Sequence, residues 1–430
     1  MASVEREHRP EIGRRSVFAL LACVLFSSAA SMAQTTILGK QVYDLTHHPL
    51  DLGLLGLAEF APAALLVLVT GSVADRFDRR RVTAMAMLGE AVVAVGLALY
   101  AASEPTSVGP IFLLTIAFGI ARAFVAPSLR SLPADMVSAD RLSWLVPRFS
   151  AAWQAAVVIG PVMGGFLYTV TVWAPYAACA VLLGLGALMI LGVTITQHAP
   201  AEVVDGAEAP TGGAMLHEAM EGLRFIRNQP VLLGAISLDL FAVLFGGAIA
   251  LLPAIAEDRL GVGAIGLGWL RAAGGIGAAA VTVWLAVRPF AHKVGRTLLT
   301  AVAVFGVGTV VLAVTRDFVI AFVALAVLSG ADAISVYIRA TLVPLITPRD
   351  KRGRVLAVEN VFIGASNELG AFESGVVAQL LNAAAAVLLG GIATLGVAFA
   401  WWFLFPALRA VDTFPDSADD PRRDQARSEP

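Results

Sequence analysis

The chain has 430 residues, of which 58% are hydrophobic and 14% charged, with a mean hydropathy of +0.80. Soluble domains are about 45–50% apolar, so this composition excludes a soluble protein of this length and indicates a polytopic membrane protein. The net charge of −2 gives no sign of a nucleic-acid partner, and Cys23 and Cys179 both fall inside apolar runs, where they read as small core residues and not as a disulfide.

The first fifteen residues are polar and carry Arg6, Arg9, Arg14 and Arg15, followed by an apolar run from about Val17 to Leu38. At about 1.5 Å per residue this run crosses roughly 30 Å of hydrocarbon. It exceeds a signal-peptide core and more spans follow at once, so it is read as a retained first helix with the N-terminus inside. Tyr43-Asp-Leu-Thr-His-His-Pro-Leu-Asp-Leu-Gly-Leu54 is then the first outer turn and the start of the second span. His47 and His48 have no third ligand nearby, which favours solvated histidines over a metal site.

Gly71 to Val82 is a compact charged stretch between two long apolar runs. Asp75, Arg76, Asp78, Arg79, Arg80 and Arg81 cannot lie in hydrocarbon, where each charge costs roughly 2.5–3.5 kcal/mol or more. They therefore fix the membrane surface, and the arginines place it on the cytoplasmic side. A loop that only sets topology would carry the same arginines. The pattern GxxxDRxDRRR resembles the loop signature of the major facilitator superfamily, in which such a turn joins the second and third transmembrane helices. The resemblance implies a conformational hinge formed by Gly71, Asp75, Arg76, Asp78, Arg79 and Arg80. It also implies that Asp75 holds the cytoplasmic side shut against the N-terminus of a helix from the other half. A macrodipole favours such a carboxylate by roughly 0.3–1 kcal/mol. Together with the Tyr-x-Leu-Thr-x-x-Pro turn, the hinge resembles the branch similar to the enterobactin (siderophore) exporter.

Further spans are predicted at about 82–102, 109–130, 147–170, 175–196, 231–255, 265–288, 298–315, 319–343, 356–380 and 385–408. The expected fold is an all-α membrane protein of twelve transmembrane helices in two six-helix halves, the major facilitator fold, with both termini cytoplasmic. Of the 30 Lys and Arg, 24 fall in the assigned cytoplasmic segments or at the span ends that border them (Arg130, Arg148 and Arg288), three (Lys40, Arg259, Arg316) outside and three (Arg122, Arg271, Arg339) deeper within spans. That asymmetry supports the orientation. The expected divisions are residues 1–196 and 231–408 for the two halves, a cytoplasmic linker at 197–230 and a disordered tail at 409–430. Within the linker, Leu216, Ala219, Met220, Leu223 and Ile226 share one face of an amphipathic helix expected along the membrane surface. Leu132-Pro133 followed by Asp140-Arg141 recurs as Val343-Pro344 followed by Asp350-Lys351, offset by 210–211 residues, which suggests two parallel halves. The second copy of the hinge, at Arg288 to Arg296, keeps only basic residues.

Glu59, Glu90, Arg122, Gln154, Asp239, Arg271, Asp332, Arg339, Glu359, Glu368 and Glu373 sit inside predicted spans, where ionisable residues normally face a bundle interior or a water-filled cavity. Glu59, Arg122, Gln154, Asp239, Arg271, Asp332 and Glu368 are the proton and substrate cavity candidates. Arg339 and Glu359, at the cytoplasmic ends of spans ten and eleven, could pair as a gate or a structural clamp. Asp332 and Arg339 are two turns apart on one face. Asp239 is expected in the outer-to-middle part of span seven, and Glu368 near the middle of span eleven. Arg122 resembles in position the buried arginine of many proton-driven exporters. A carboxyl that meets water on alternate sides could load and release a proton, and Asp239, Asp332 or Glu368 is the expected carrier.

Gly160, Pro161, Gly164 and Gly165 close the fifth span. Glycines at i and i+4 give a flat face for close helix approach, and Pro161 should bend the helix. GPxxGG resembles the exporter-associated motif of the superfamily, which implies outward transport. The readings are a proton-coupled exporter of a siderophore or other amphipathic small molecule, a multidrug efflux pump of the same fold, or a non-transporting sensor or scaffold. The intramembrane charges stand against the last. No Walker loop, GxSxG or HExxH is present and all six histidines lie outside the spans, so no enzyme, cofactor or metal is expected. The expected partners are a small-molecule substrate, protons and the lipid bilayer, for a monomer in a bacterial inner membrane.

Overall fold

A computed structural model describes residues 14–194 and 212–415. The first half contains six spans: α1 (Arg14–Thr46), α2 (Pro49–Arg76), α3 (Arg79–Ala102), α4 (Gly109–Met136), α5 (Ala139–Val170) and α6 (Ala174–Leu191). After α7 (Gly212–Asn228), the seventh span begins with α8 (Pro230–Phe245) and continues through a 3-10 turn at Gly247–Ile249, α9 (Leu252–Ala254) and a π-helical turn at Ile255–Arg259. α10 (Gly263–Val287), α11 (Val294–Val314), α12 (Phe318–Ile346), α13 (Arg349–Leu380) and α14 (Ala383–Leu404) follow, with a final turn, α15 (Pro406–Arg409). Among the described residues, 11 helices are long and apolar enough to cross a bilayer. α13, 32 residues long and eleventh in chain order, completes the twelve, and its charges from Arg349 to Glu373 make it less apolar than the rest.

Local chemistry explains the ends. Asp78 caps α3 by accepting from the Arg80 N–H at 2.9 Å, and Asp317 caps α12 by accepting from the Ile320 N–H at 2.9 Å. α4, α6 and α8 carry proline in the first turn, where no intrahelical N–H is needed. Several spans outrun their predicted limits: α5 starts at Ala139 and not near 147, and α12 ends at Ile346 and not near 343. Hydropathy marks where apolar side chains stop, whereas the backbone continues to hydrogen-bond into the polar surface. α6 instead stops short, at Leu191 before Gly192. Span seven, expected as one helix over 231–255, breaks at Gly246, whose N–H turns back to the Val243 carbonyl at 3.1 Å. α5 is one continuous helix through Pro161.

Packing divides the chain into two compact units, Met1–Leu38 with Ala58–Gly206, and Gly39–Leu57 with Ala207–Pro430. In the first unit Leu20, Cys23, Met87, Leu132, Met136 and Ile190 form a buried core. A methyl carbon at Gly160 would lie 2.5 Å from the Ala29 carbonyl oxygen, and one at Gly164 3.1 Å from Ile37. These two glycines therefore seat α5 directly on α1, and Pro161 and Gly165 beside them are buried.

In the second unit, Leu251, Leu252, Leu267, Leu270, Leu325 and Leu328 belong to one core, and Leu238, Leu298, Leu299, Ile338 and Leu342 to another. The end of α1 and the start of α2 pack here: a methyl carbon at Gly53 would lie 2.8 Å from the Ala371 carbonyl oxygen of α13. α7 lies on α13 and α8 through Gly222, Phe225 and Ile226. Met220 and Leu223, expected on that same apolar face, are exposed, because the approach to the Arg354 backbone is made by Gly222. The Leu216 side chain, residues 1–13, the linker residues 195–211 and the tail from 416 lie outside the described residues.

Candidate functional site

The first unit holds a charged pair between helices. Glu59 on α2 meets Arg122 on α4 at 3.0 Å, and Thr35 on α1 donates to the second Glu59 oxygen at 3.4 Å. Gly119 permits this: a methyl carbon there would lie 2.1 Å from the Glu59 carbonyl oxygen. The Arg122 guanidinium also stands 5.6 Å from the centre of the Phe118 ring. Gln154 is half-buried on α5. Glu90 on α3 is 1% exposed and neither of its carboxylate oxygens has a hydrogen-bond partner.

At the hinge, Arg80 closes on Asp78 at 2.8 Å and donates to the Val193 carbonyl at 2.7 Å, past the end of α6. The Arg80 side-chain hydrogen bond to Asp78, with the Arg80 and Arg81 backbone N–H groups, holds the Asp78 carboxyl below the ordinary carboxylate range. Arg79 reaches both carboxylate oxygens of Asp135 on α4 at 2.8 Å. The arginines that set the membrane surface in the sequence thus also tie α3 to α4 and to the α6 end. Arg76 is exposed, Gly71 is half-buried with open space around it, and the Asp75 side chain lies outside the described residues.

In the second unit Arg339 on α12 is shared between Asp239 on α8, at 2.7 Å, and Glu359 on α13, at 3.5 Å. All three are buried. The expected Arg339–Glu359 pair is therefore met, with a third member whose level was misplaced: Asp239 lies beside Arg339 and not toward the outer face. Asp239 is nine residues past the start of α8 at Pro230 and Arg339 seven before the end of α12 at Ile346, which sets the two level. Asp239, Asp332 and Ser335 line one small cavity with Phe305 and Val302, so Asp332 and Arg339 do lie along one polar stripe. Three carboxyl groups here face one guanidinium. Glu368 is half-buried beside Gly56 of α2, and Arg271 half-buried on α10 near Gly39.

One cluster escaped the sequence reading. Lys40, counted there as an outer-loop charge, is buried on α1 and donates to Asp44 and, at 2.9 Å, to Glu257. The Tyr43 hydroxyl donates to Asp258. Lys40 and Tyr43 are three residues apart on one helical face, which is the signal that could have grouped them. Among the described residues, no group of three His, Cys, Asp or Glu side chains is placed to hold a metal.

Residues 13–425 match the family described as transmembrane secretion effector. The multidrug efflux pump Tap of Mycobacterium tuberculosis is 26% identical over 385 residues, covering 84% of this chain and 87% of that protein. The Na(+), Li(+), K(+)/H(+) antiporter of Planococcus maritimus is 26% identical over 361 residues, covering 77% and 83%. Among solved structures, the nucleoside transporter NupG aligns at a TM-score of 0.70 with 12% identity, over 90% of this chain and 99% of that one. An inward-facing, unoccupied bacterial homologue of the lysosomal transporter Spinster aligns at 0.65 with 16% identity, over 94% and 99%. With twelve spans in two six-helix halves and a family match running nearly end to end, the chain is a membrane transporter that belongs to the transmembrane secretion effector family of the major facilitator superfamily.

Proposed function

We propose that this transporter is a proton-coupled exporter of amphipathic small molecules, working by alternating access between halves at residues 1–196 and 231–408, joined by a cytoplasmic linker at 197–230. The observation that carries the coupling is the surplus of buried acid in the second unit, where Asp239, Asp332 and Glu359 face the single Arg339. A charge at such depth is retained for a polar pathway or a proton relay. Asp239 and Glu359 are engaged by Arg339, which leaves Asp332, at the small cavity, as the better carrier among Asp239, Asp332 and Glu368. Arg339 and Glu359 act as the clamp of that cluster. Glu59, Arg122 and Gln154 contribute from the first unit, and Arg271 from α10. The hinge set from Gly71 to Arg80, including Asp75, stabilises one state of the cycle, and Gly160, Pro161, Gly164 and Gly165 hold the helix contact of the exporter motif.

Multidrug export is the leading substrate class, because the efflux pump Tap matches over most of both chains. Siderophore export is the second reading, and it rests on the Tyr-x-Leu-Thr-x-x-Pro turn at Tyr43 to Pro49. In this reading the protein works in a bacterial inner membrane as a monomer with both termini cytoplasmic, without a cofactor or enzymatic step. The experiment is uptake of ethidium into inverted proteoliposomes under an imposed pH gradient, paired with metabolite profiling of iron-starved cells with and without the gene. Gradient-driven ethidium uptake supports drug export. A chelator trapped in the deletion cells, with no ethidium transport, moves the siderophore reading ahead. If neither result is obtained, the exporter reading is wrong.

A further inference from the structure

Glu90 on α3 is enclosed by four other helices of the first unit. On α1 the facing groups are neutral: Ser31 lies beside the carboxyl, and Gln34, one turn further, is fully buried with neither amide atom hydrogen-bonded. On α6 the facing group is the Cys179 thiol, which donates to the Ala30 carbonyl at 3.3 Å. The charged groups facing Glu90 are Arg122 on α4 and Glu59 on α2, already paired with each other at 3.0 Å. Those two charges cancel, so an ionised Glu90 would be a net negative charge in a nonpolar interior with only the neutral Ser31 hydroxyl beside it. Such a group is stable only when neutral, and too few oxygens converge here to replace the hydration shell of a metal cation.

We propose that Glu90 is a proton-binding site of this transporter, holding a proton while enclosed and releasing it to water when the helices around it part. The chemistry balances as a single exchange: the acid O–H bond breaks, the proton passes to water on one side, and the carboxylate left behind is hydrated by the water that has entered, with Arg122 and Glu59 remaining paired. Reprotonation from the other side resets the site. This inference rests on the proton-coupled reading above and adds a site in the first unit, whereas Asp332 belongs to the second.

Infrared difference spectroscopy on the full-length protein in lipid tests it, with gradient-driven ethidium transport measured on the same samples. Near neutral pH the wild type should show a protonated-carboxyl C=O band that Glu90→Gln lacks, and Glu90→Gln should lose gradient-driven transport. Glu90→Asp should keep an acid band, at a shifted frequency; it decides the matter even where Glu90→Gln does not fold. A band identical in wild type and both variants overturns the assignment. So does a Glu90→Gln variant that answers the gradient as the wild type does. A wild type indifferent to the gradient overturns the proton-coupled reading itself, which is a separate result.

Discussion

Arg339 lies 2.7 Å from Asp239, with both side chains buried between α12 and α8. Removing Arg339 strands two buried carboxylates, Asp239 and Glu359. Arg339→Met should therefore destabilise the second unit by about 3–5 kcal/mol, the cost of removing one partner of a buried ion pair. Asp239→Asn, which leaves Glu359 to balance Arg339, should cost less. Thermal unfolding in detergent checks the order, and equal losses in the two variants would show that Glu359 does not compensate.

Gly160→Ala should weaken the contact of α5 with α1, since the added carbon would lie 2.5 Å from a backbone oxygen that cannot yield like a side chain. Overpacking of this kind costs about 1–3 kcal/mol. Gly184→Ala, with nothing within 4 Å of the new carbon, is the control and should be neutral or slightly stabilising. Melting temperatures of the pair separate packing from helix propensity.

Lys40, Glu257, Tyr43 and Asp258 should behave as one energetic unit. A double-mutant cycle of Lys40→Met with Glu257→Gln should return a coupling of about 0.5–3 kcal/mol, because the two side chains meet at 2.9 Å and Lys40 is buried. Additive losses would mean that Asp44 alone satisfies the ammonium.

Acid should loosen the hinge before it loosens the bundle. The Asp78 carboxyl is held below its ordinary value by Arg80, so its contribution is complete above about pH 4, the unfolded-state value, and is lost as pH falls through the depressed folded value. Hydrogen exchange at the first turn of α3 should accelerate in that acid window in the wild type. In Asp78→Asn that acid step should be absent.

Much of the fold was legible because burial in lipid imposes a length and an apolar content on each span, and ten predicted spans lie within or close to the helices found. What the sequence hid is lateral. Spacing along α12 put Asp332 and Arg339 on one face, but nothing in it could say that Asp239 would slot beside Arg339. Lys40 looked like a loop charge because hydropathy reports how far a residue lies along a helix and not what surrounds it. Glu90 stood among the intramembrane acids without distinction, since a missing hydrogen-bond partner is a property of neighbours that come from α1, α4 and α6.

The charges along α13 carry a consequence for mapping the chain in its membrane. Among the described residues the 11 most apolar helices alone give an odd parity, which assigns the two ends of the polypeptide to opposite compartments. Counting α13 makes the parity even and returns the ends to a shared compartment. A reporter fused after Arg409 reads the difference directly, so the most polar helix of the bundle decides on which side such a tag would glow.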